Sequence, residues 1–179
     1  QWSQVTSTKA DNAQHTATKL ENGQVLIVGG AIPKLFTPSS TTPTDAQWTE
    51  TTTENAPANL GGATATLLND GKVLIVSGFL TDGSFSASKK VYLYDPDANT
   101  WENDLPFPTG FTGAIGHSAT LLDDGTVLVA GGFAECPKTD TTVVARESAA
   151  RFIPEQKTWE SVVSMGQPRA FHSATRIDN

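Results

Sequence analysis

The sequence predicts an all-β chain of four-stranded antiparallel sheets stacked one against the next. Three observations predict it. A segment of 16 residues recurs with a period of about 50, each full copy folds back on an Asx-Gly pair, and an aromatic residue stands seven positions before a tryptophan in two copies. Regular spacing of this kind belongs to repeated supersecondary units that bury their faces against one another.

The recurring segment runs from His15 to Gly30, returns from Ala63 to Gly78 and from His117 to Gly132, and a fourth copy opens at His172-Ser-Ala-Thr175. Its first arm mixes small and larger residues, as in Ala17-Thr18, Ala65-Thr66 and Ala119-Thr120. The turn is Asn22-Gly23, Asp70-Gly71 or Asp124-Gly125, and such a pair between two apolar arms predicts a tight hairpin, here expected as a type I′ turn with positive φ at both central residues. The second arm is β-branched and apolar on both faces (Val25 to Val28, Val73 to Val76, Val127 to Ala130), as suits a strand covered on both sides. It ends in Gly29-Gly30, Ser77-Gly78 or Gly131-Gly132.

A variable loop follows, then Val91-Tyr-Leu-Tyr94 or Ala149-Ala-Arg-Phe152, a polar turn and a tryptophan. Tyr94 and Phe152 each stand seven residues before Trp101 and Trp159, with turn formers such as Asp95-Pro96-Asp97 between, which predicts a third and a fourth strand. Trp48 and Trp2 hold the tryptophan position in their repeats. In the first repeat, Pro33, Pro38 and Pro43 fall where the third strand belongs, so that strand is expected to be short, irregular or displaced.

Glycine pair, aromatic, six residues and a tryptophan at this period resemble the kelch family of β-propellers over essentially the whole chain. The wording is most similar to the branch of galactose-oxidase-like propellers, and Met165-Gly-Gln-Pro-Arg169 resembles that family's link between blades. The resemblance implies one propeller segment over 1–179, with blades at about 13–53, 61–106 and 115–164. Part-blades at 1–8 and 171–179 would add one strand at each end. Propellers close with about four to eight blades, so the chain is expected to be completed by further blades of the same polypeptide or by a second copy.

Composition narrows function. Twelve Lys and Arg against nineteen Asp and Glu give a net charge of −7. That argues against nucleic acid, because phosphate binding needs clustered cations. No apolar run approaches the roughly 20 residues of a membrane span. Cys136 is the single cysteine, which excludes an internal disulfide and a four-thiolate zinc site. The opening Gln1-Trp2-Ser3-Gln4 lacks the layout of a signal peptide. Threonine and serine supply 38 of 179 residues, which with the acidic balance suggests an extracellular or cell-surface protein of bacterial type.

His15, His117 and His172 share one repeat position, but Ala63 replaces them in the second copy, so they read as structural markers and not as metal ligands. Trp48, Trp101 and Trp159 read as packing between blades, and the Asx residues as turn chemistry. No cofactor and no catalytic motif is evident. The resemblance raises a copper radical oxidase as an alternative, yet Tyr92 and Tyr94 are the only tyrosines and Cys136 has none nearby in sequence. A structural unit joined through open blade edges is a second alternative. The preferred expectation is a module binding a protein or glycan through the variable loops, assigned to 31–44, 79–89 and 133–147 together with the links 54–62 and 106–116. Phe79, Phe85, Phe107, Phe111 and Phe133 are the candidate apolar contacts, each with the alternative role of capping the core, and Arg146 and Arg169 the polar anchors.

Overall fold

The computed structural model describes residues 14–42, 45–81, 87–111, 115–134 and 144–177. These residues form three four-stranded antiparallel sheets and one two-stranded pair. Blade one contains β1 (Thr16–Lys19), β2 (Val25–Val28), β3 (Lys34–Thr37) and β4 (Gln47–Glu50). A short strand β5 (Leu60–Gly61) precedes blade two, which holds β6 (Thr64–Leu67), β7 (Val73–Val76), β9 (Val91–Asp95) and β10 (Thr100–Glu102); β8 (Phe79–Leu80) pairs with β5. Blade three contains β11 (Ser118–Leu121), β12 (Val127–Ala130), β13 (Ala149–Ile153) and β14 (Thr158–Ser161). Innermost strands neighbour one another, β1 beside β6 and β6 beside β11, so the sheets radiate as propeller blades do. Among the described residues no helix is long and apolar enough to cross a membrane.

The hairpins between first and second strands are not type I′. Only the glycine of each pair takes positive φ, +84° at Gly23, +81° at Gly71 and +80° at Gly125. The Gly23 N–H donates to Leu20 O at 3.1 Å and the Leu20 N–H to Gln24 O at 2.8 Å, and Leu68 to Lys72 and Leu122 to Thr126 repeat the pattern. This is a three-residue loop, a turn followed by a left-handed glycine. The Asx residue is chosen for its side chain: its oxygen accepts the N–H two residues on, at 3.0 Å for Asn22 to Gln24, 3.1 Å for Asp70 to Lys72 and 3.0 Å for Asp124 to Thr126.

The third strand of blade one is in place. Pro33 and Pro38 flank Lys34–Thr37 without entering it, so no ladder donor is lost, and the strand is only one residue shorter than β9 or β13. Register pairs Phe36 with Trp48, as it pairs Tyr94 with Trp101 and Phe152 with Trp159. The ring centroids of the three pairs lie 4.9, 4.6 and 5.0 Å apart. Phe36 fills the aromatic position that spacing alone concealed, because the turn between β3 and β4 is longer here.

That long segment lies at the end of the blade where the Asx-Gly turns are, and not with the loops that follow the glycine pairs. Thr37 sits next to Gln24, whose side-chain amide donates to its hydroxyl at 2.8 Å. The assignment of 31–44 to one variable loop is therefore corrected: only the stretch between β2 and β3 belongs to the loop face, 38–42 belongs with the turn face, and 43–44 lies outside the described residues.

Residues 171–177 form no strand. They run along β11 instead, with the Phe171 N–H donating to Gly116 O at 2.7 Å and Arg176 pairing with Asp123 at 2.7 Å. In each blade an innermost strand forms its ladder with its own second strand, and 171–177 has no such partner among the described residues. The expected strand at 1–8, with Trp2, lies outside the described residues.

The core is two layers between blades. Val73 and Ile75 of β7 face blade one with Leu26, Val28, Tyr92 and Trp101, while Leu74 and Val76 face blade three with Leu93, Val127, Val129 and Phe152. All four β7 side chains are fully buried, which is why this arm has no polar alternation. Burying each such side chain is worth roughly 1.5–3 kcal/mol.

Candidate functional site

The polar residues that mark the repeat tie blades together. The Thr64 hydroxyl of blade two lies 2.9 Å from His117 Nε2 of blade three, and the Ser118 hydroxyl 3.0 Å from His172 Nε2. Each histidine thus meets the hydroxyl residue that opens the innermost strand of the preceding blade. The tryptophans do the same at the outer rim, Trp101 Nε1 donating to Thr51 Oγ1 at 3.1 Å and Trp159 Nε1 to Pro106 O at 2.7 Å. Gly131 has φ +73°, and a Cβ there would stand 2.5 Å from Arg169 O and 2.7 Å from His172 Cε1, so the glycine pair lets the following link pack onto the end of the second strand.

Among the described residues no three His, Cys, Asp or Glu side chains gather as a metal site requires. Tyr94 is fully buried, its hydroxyl donates to Asn99 Oδ1 at 3.0 Å, and burial, then the Asp95 charge, push its pKa up to about 12. Cys136 lies outside the described residues.

The turn face holds a shallow cleft of about 250 Å³ between blades one and two, lined in part by Glu21, Asp70, Lys72 and Asp97. Its polar groups are used locally. Asp95 accepts the N–H groups of Asp97 and Ala98, and Asp70 takes the Lys72 ammonium at 2.9 Å. Burial raises the Asp70 carboxyl, but the Lys72 contacts together outweigh it and the net shift is downward.

The loop face is different. There β12 ends in Gly131-Gly132, and Phe133 bridges to Ile115 on one side and Ala145 on the other. The Arg146 N–H donates to Gly132 O at 2.8 Å, the Arg169 N–H to Arg146 O at 3.1 Å, and the Gly132 N–H to Arg169 O at 2.8 Å. These bonds set Phe133, Arg146 and Arg169 on adjoining backbones. Both arginines are exposed, and neither guanidinium has a carboxylate partner among the described residues. The other two arginines are engaged, Arg151 with Asp124 and Glu160 and Arg176 with Asp123.

Phe171, which the motif reading passed over, completes the group. It is 76% exposed, its ring lies 5.7 Å from that of Phe133, and it covers Gly116, where a Cβ would come within 2.9 Å of it. Its φ is +52°, strained for a bulky residue. The same repeat position is left-handed in every copy, at Gln14 (+57°), Gly62 (+65°) and Gly116 (+67°). A phenylalanine where two copies have glycine is the signal that could have found it.

The remaining candidates divide. Phe79 is 6% exposed and, with Ile115, forms a small core on which Phe133 and Ala87 pack, so it is the floor of the patch. Phe111 is 5% exposed, lies between blades two and three and meets His117 edge-on at 6.2 Å. Phe107 packs 6.0 Å from Phe111 and lines a small outer-rim cleft with Trp159. Phe85 lies outside the described residues.

The family model described as "Attractin/LZTR1 beta-propeller" matches residues 1–179. Among solved structures, the one titled "Structure of YjhT" superposes with a TM-score of 0.69 over 93% of this chain at 16% identity. The chain spans 56% of that structure's length. No curated protein sequence matches significantly.

Proposed function

Since the chain belongs to the Attractin/LZTR1 β-propeller family, we propose that it is a binding module that engages a protein or glycan ligand through its loop face, on the surface built by Phe133, Phe171, Arg146 and Arg169. The observation that carries this reading is the exposed, backbone-strained Phe171 beside two arginines that have no carboxylate partner among the described residues. Exposed aromatic and arginine side chains clustered on one surface are what anchor interfaces. The turn face supports the reading by contrast, since Asp70, Asp95 and Asp124 there are engaged by their own loops, by Lys72 and by Arg151. The acidic, threonine-rich composition fits an extracellular or cell-surface setting.

The test is selection of ligands from a glycan array and a displayed peptide library with the wild-type chain, repeated with a loop-face variant (Phe171→Ser, Arg169→Gln) and a turn-face variant (Lys72→Gln). Ligands lost only with the loop-face variant support the reading. Ligands lost only with the turn-face variant overturn it.

A second reading, assembly through open blade edges, draws on Val163 and Ile177, 91% and 81% exposed on segments that follow β14. It predicts concentration-dependent association in sedimentation equilibrium that the double substitution Val163→Ser, Ile177→Ser abolishes. A monomer at all concentrations would refute it.

A further inference from the structure

We propose that the loop-face patch takes an acidic protein segment carrying at least one apolar side chain, the carboxylates held by Arg146 and Arg169 and the apolar residue seated against Phe133 and Phe171. This rests on the loop-face reading above and adds the chemistry of the partner.

Charge makes the choice. The chain carries −7 overall, yet these two guanidiniums project from hydrogen-bonded backbones without a carboxylate partner among the described residues. Lys89 and Lys90, in the loop of blade two that follows Gly78, extend the cationic character of the same face. Glu147 is the described carboxylate in the stretch between Val144 and β13, and it too is exposed. Guanidinium is a planar fork of donors that binds carboxylate by two parallel hydrogen bonds, and such charge-assisted pairs are the strong ones. A neutral partner would leave both arginines to be desolvated without compensation.

The aromatic half argues for protein over other anions. Phe133 and Phe171 form an edge-to-face pair whose exposed ring presents apolar area with no polar handle, and Val144, next in the chain to the Ala145 that bridges to Phe133, is also exposed. An apolar side chain of a peptide complements that area. A nucleic acid would meet a strongly acidic chain, and salt-dependent phosphate binding needs more cations than this face presents. Phe171 also has a fixed starting geometry. Its N–H is bonded to Gly116 O and its ring rests on Gly116, so little conformational freedom remains to be lost on binding.

The experiment uses two fluorescein-labelled peptides that differ only in charge, one with glutamates flanking a central leucine and one with glutamines in their place. Anisotropy is read with the wild-type chain, with Arg146→Gln, Arg169→Gln and Phe171→Ala, and with Arg151→Gln as the turn-face control. Circular dichroism of each variant confirms that it is folded. Tighter binding of the glutamate peptide by about tenfold, lost with either loop-face arginine, weakened by Phe171→Ala and unchanged by Arg151→Gln, is the expected result. Equal binding of the two peptides with dependence on Phe171 alone overturns the acidic partner and leaves the loop-face module standing. Failure of both peptides, together with a dimer that Phe171→Ala dissolves, overturns it in favour of a second copy of this chain. Tight binding that ignores every loop-face substitution overturns both readings.

Discussion

The Thr64 hydroxyl and His117 Nε2 meet at 2.9 Å across the boundary between blades two and three. Ser118 and His172 repeat the contact one blade on, at 3.0 Å. Of the three in-register histidines, which would suggest a metal in another setting, His117 and His172 here tie one repeat to the next. His117 is 5% exposed, and its removal leaves the half-buried Thr64 hydroxyl to be satisfied elsewhere. His117→Ala is expected to lower stability by about 2–3 kcal/mol, and His117→Gln by less, because an amide reaches part of the way to Thr64. Urea denaturation midpoints measure this, and an Ala variant as stable as wild type would show that the contact contributes nothing.

Trp101 carries two separable contributions. Its ring packs on Tyr94, and its Nε1 donates to Thr51 at 3.1 Å. Trp101→Phe keeps much of the packing and loses the hydrogen bond, for about 1 kcal/mol, whereas Trp101→Ala costs roughly 3–5 kcal/mol. Thr51→Val removes the same bond from the other side. The double variant Trp101→Phe, Thr51→Val is therefore expected to be less destabilised than the two single losses combined, and simple additivity in a double-mutant cycle would contradict the pairing.

Two glycines with positive φ separate backbone strain from steric contact. At Gly23 a Cβ meets nothing within 4 Å, so Gly23→Ala pays only for a left-handed residue, about 1–2 kcal/mol. At Gly131 the added carbon meets a carbonyl oxygen at 2.5 Å. Gly131→Ala is expected to cost roughly 3 kcal/mol and to shift the link that carries Arg169 and Phe171. If the two variants melt together, the close approach of that link to β12 is wrong.

The fold was open to reading because its signals are local and repeated. An Asx-Gly pair, an apolar second arm and an aromatic paired with tryptophan each constrain a few neighbouring residues, and copies of the same unit check one another. What failed had non-local causes. Phe36 was hidden because the turn between β3 and β4 is longer in blade one, which moved its tryptophan from seven residues away to twelve. The turn type was misread because the Asx residue acts through its side chain and leaves positive φ to the glycine alone. Of the surface candidates, Phe133, Arg146 and Arg169 stand on adjoining hydrogen-bonded backbones, whereas Phe111 turns inward because the link before blade three folds over the core between blades two and three. No composition or spacing distinguishes those two fates.

Acidification tests the tie at the edge of blade three. Burial, then the positive charge of Arg169, holds the His172 imidazole below the ordinary value of 6.5. The folded state therefore takes up a proton at lower pH than the unfolded chain. Above 6.5 neither state is protonated at this residue, and its contribution to stability is fully present. As pH falls below 6.5 the unfolded chain is protonated first, and stability declines until the folded value is passed. The expected result is a melting temperature that falls between pH 7 and pH 5 more steeply in wild type than in His172→Gln. Arg169→Gln removes the repelling charge and should flatten the slope part of the way, since burial, the larger cause, remains. The comparison between variants cancels the other titrating groups. A His172→Gln variant with the wild-type slope, or a wild type that gains stability on acidification, would show that this ring is not held neutral by its surroundings.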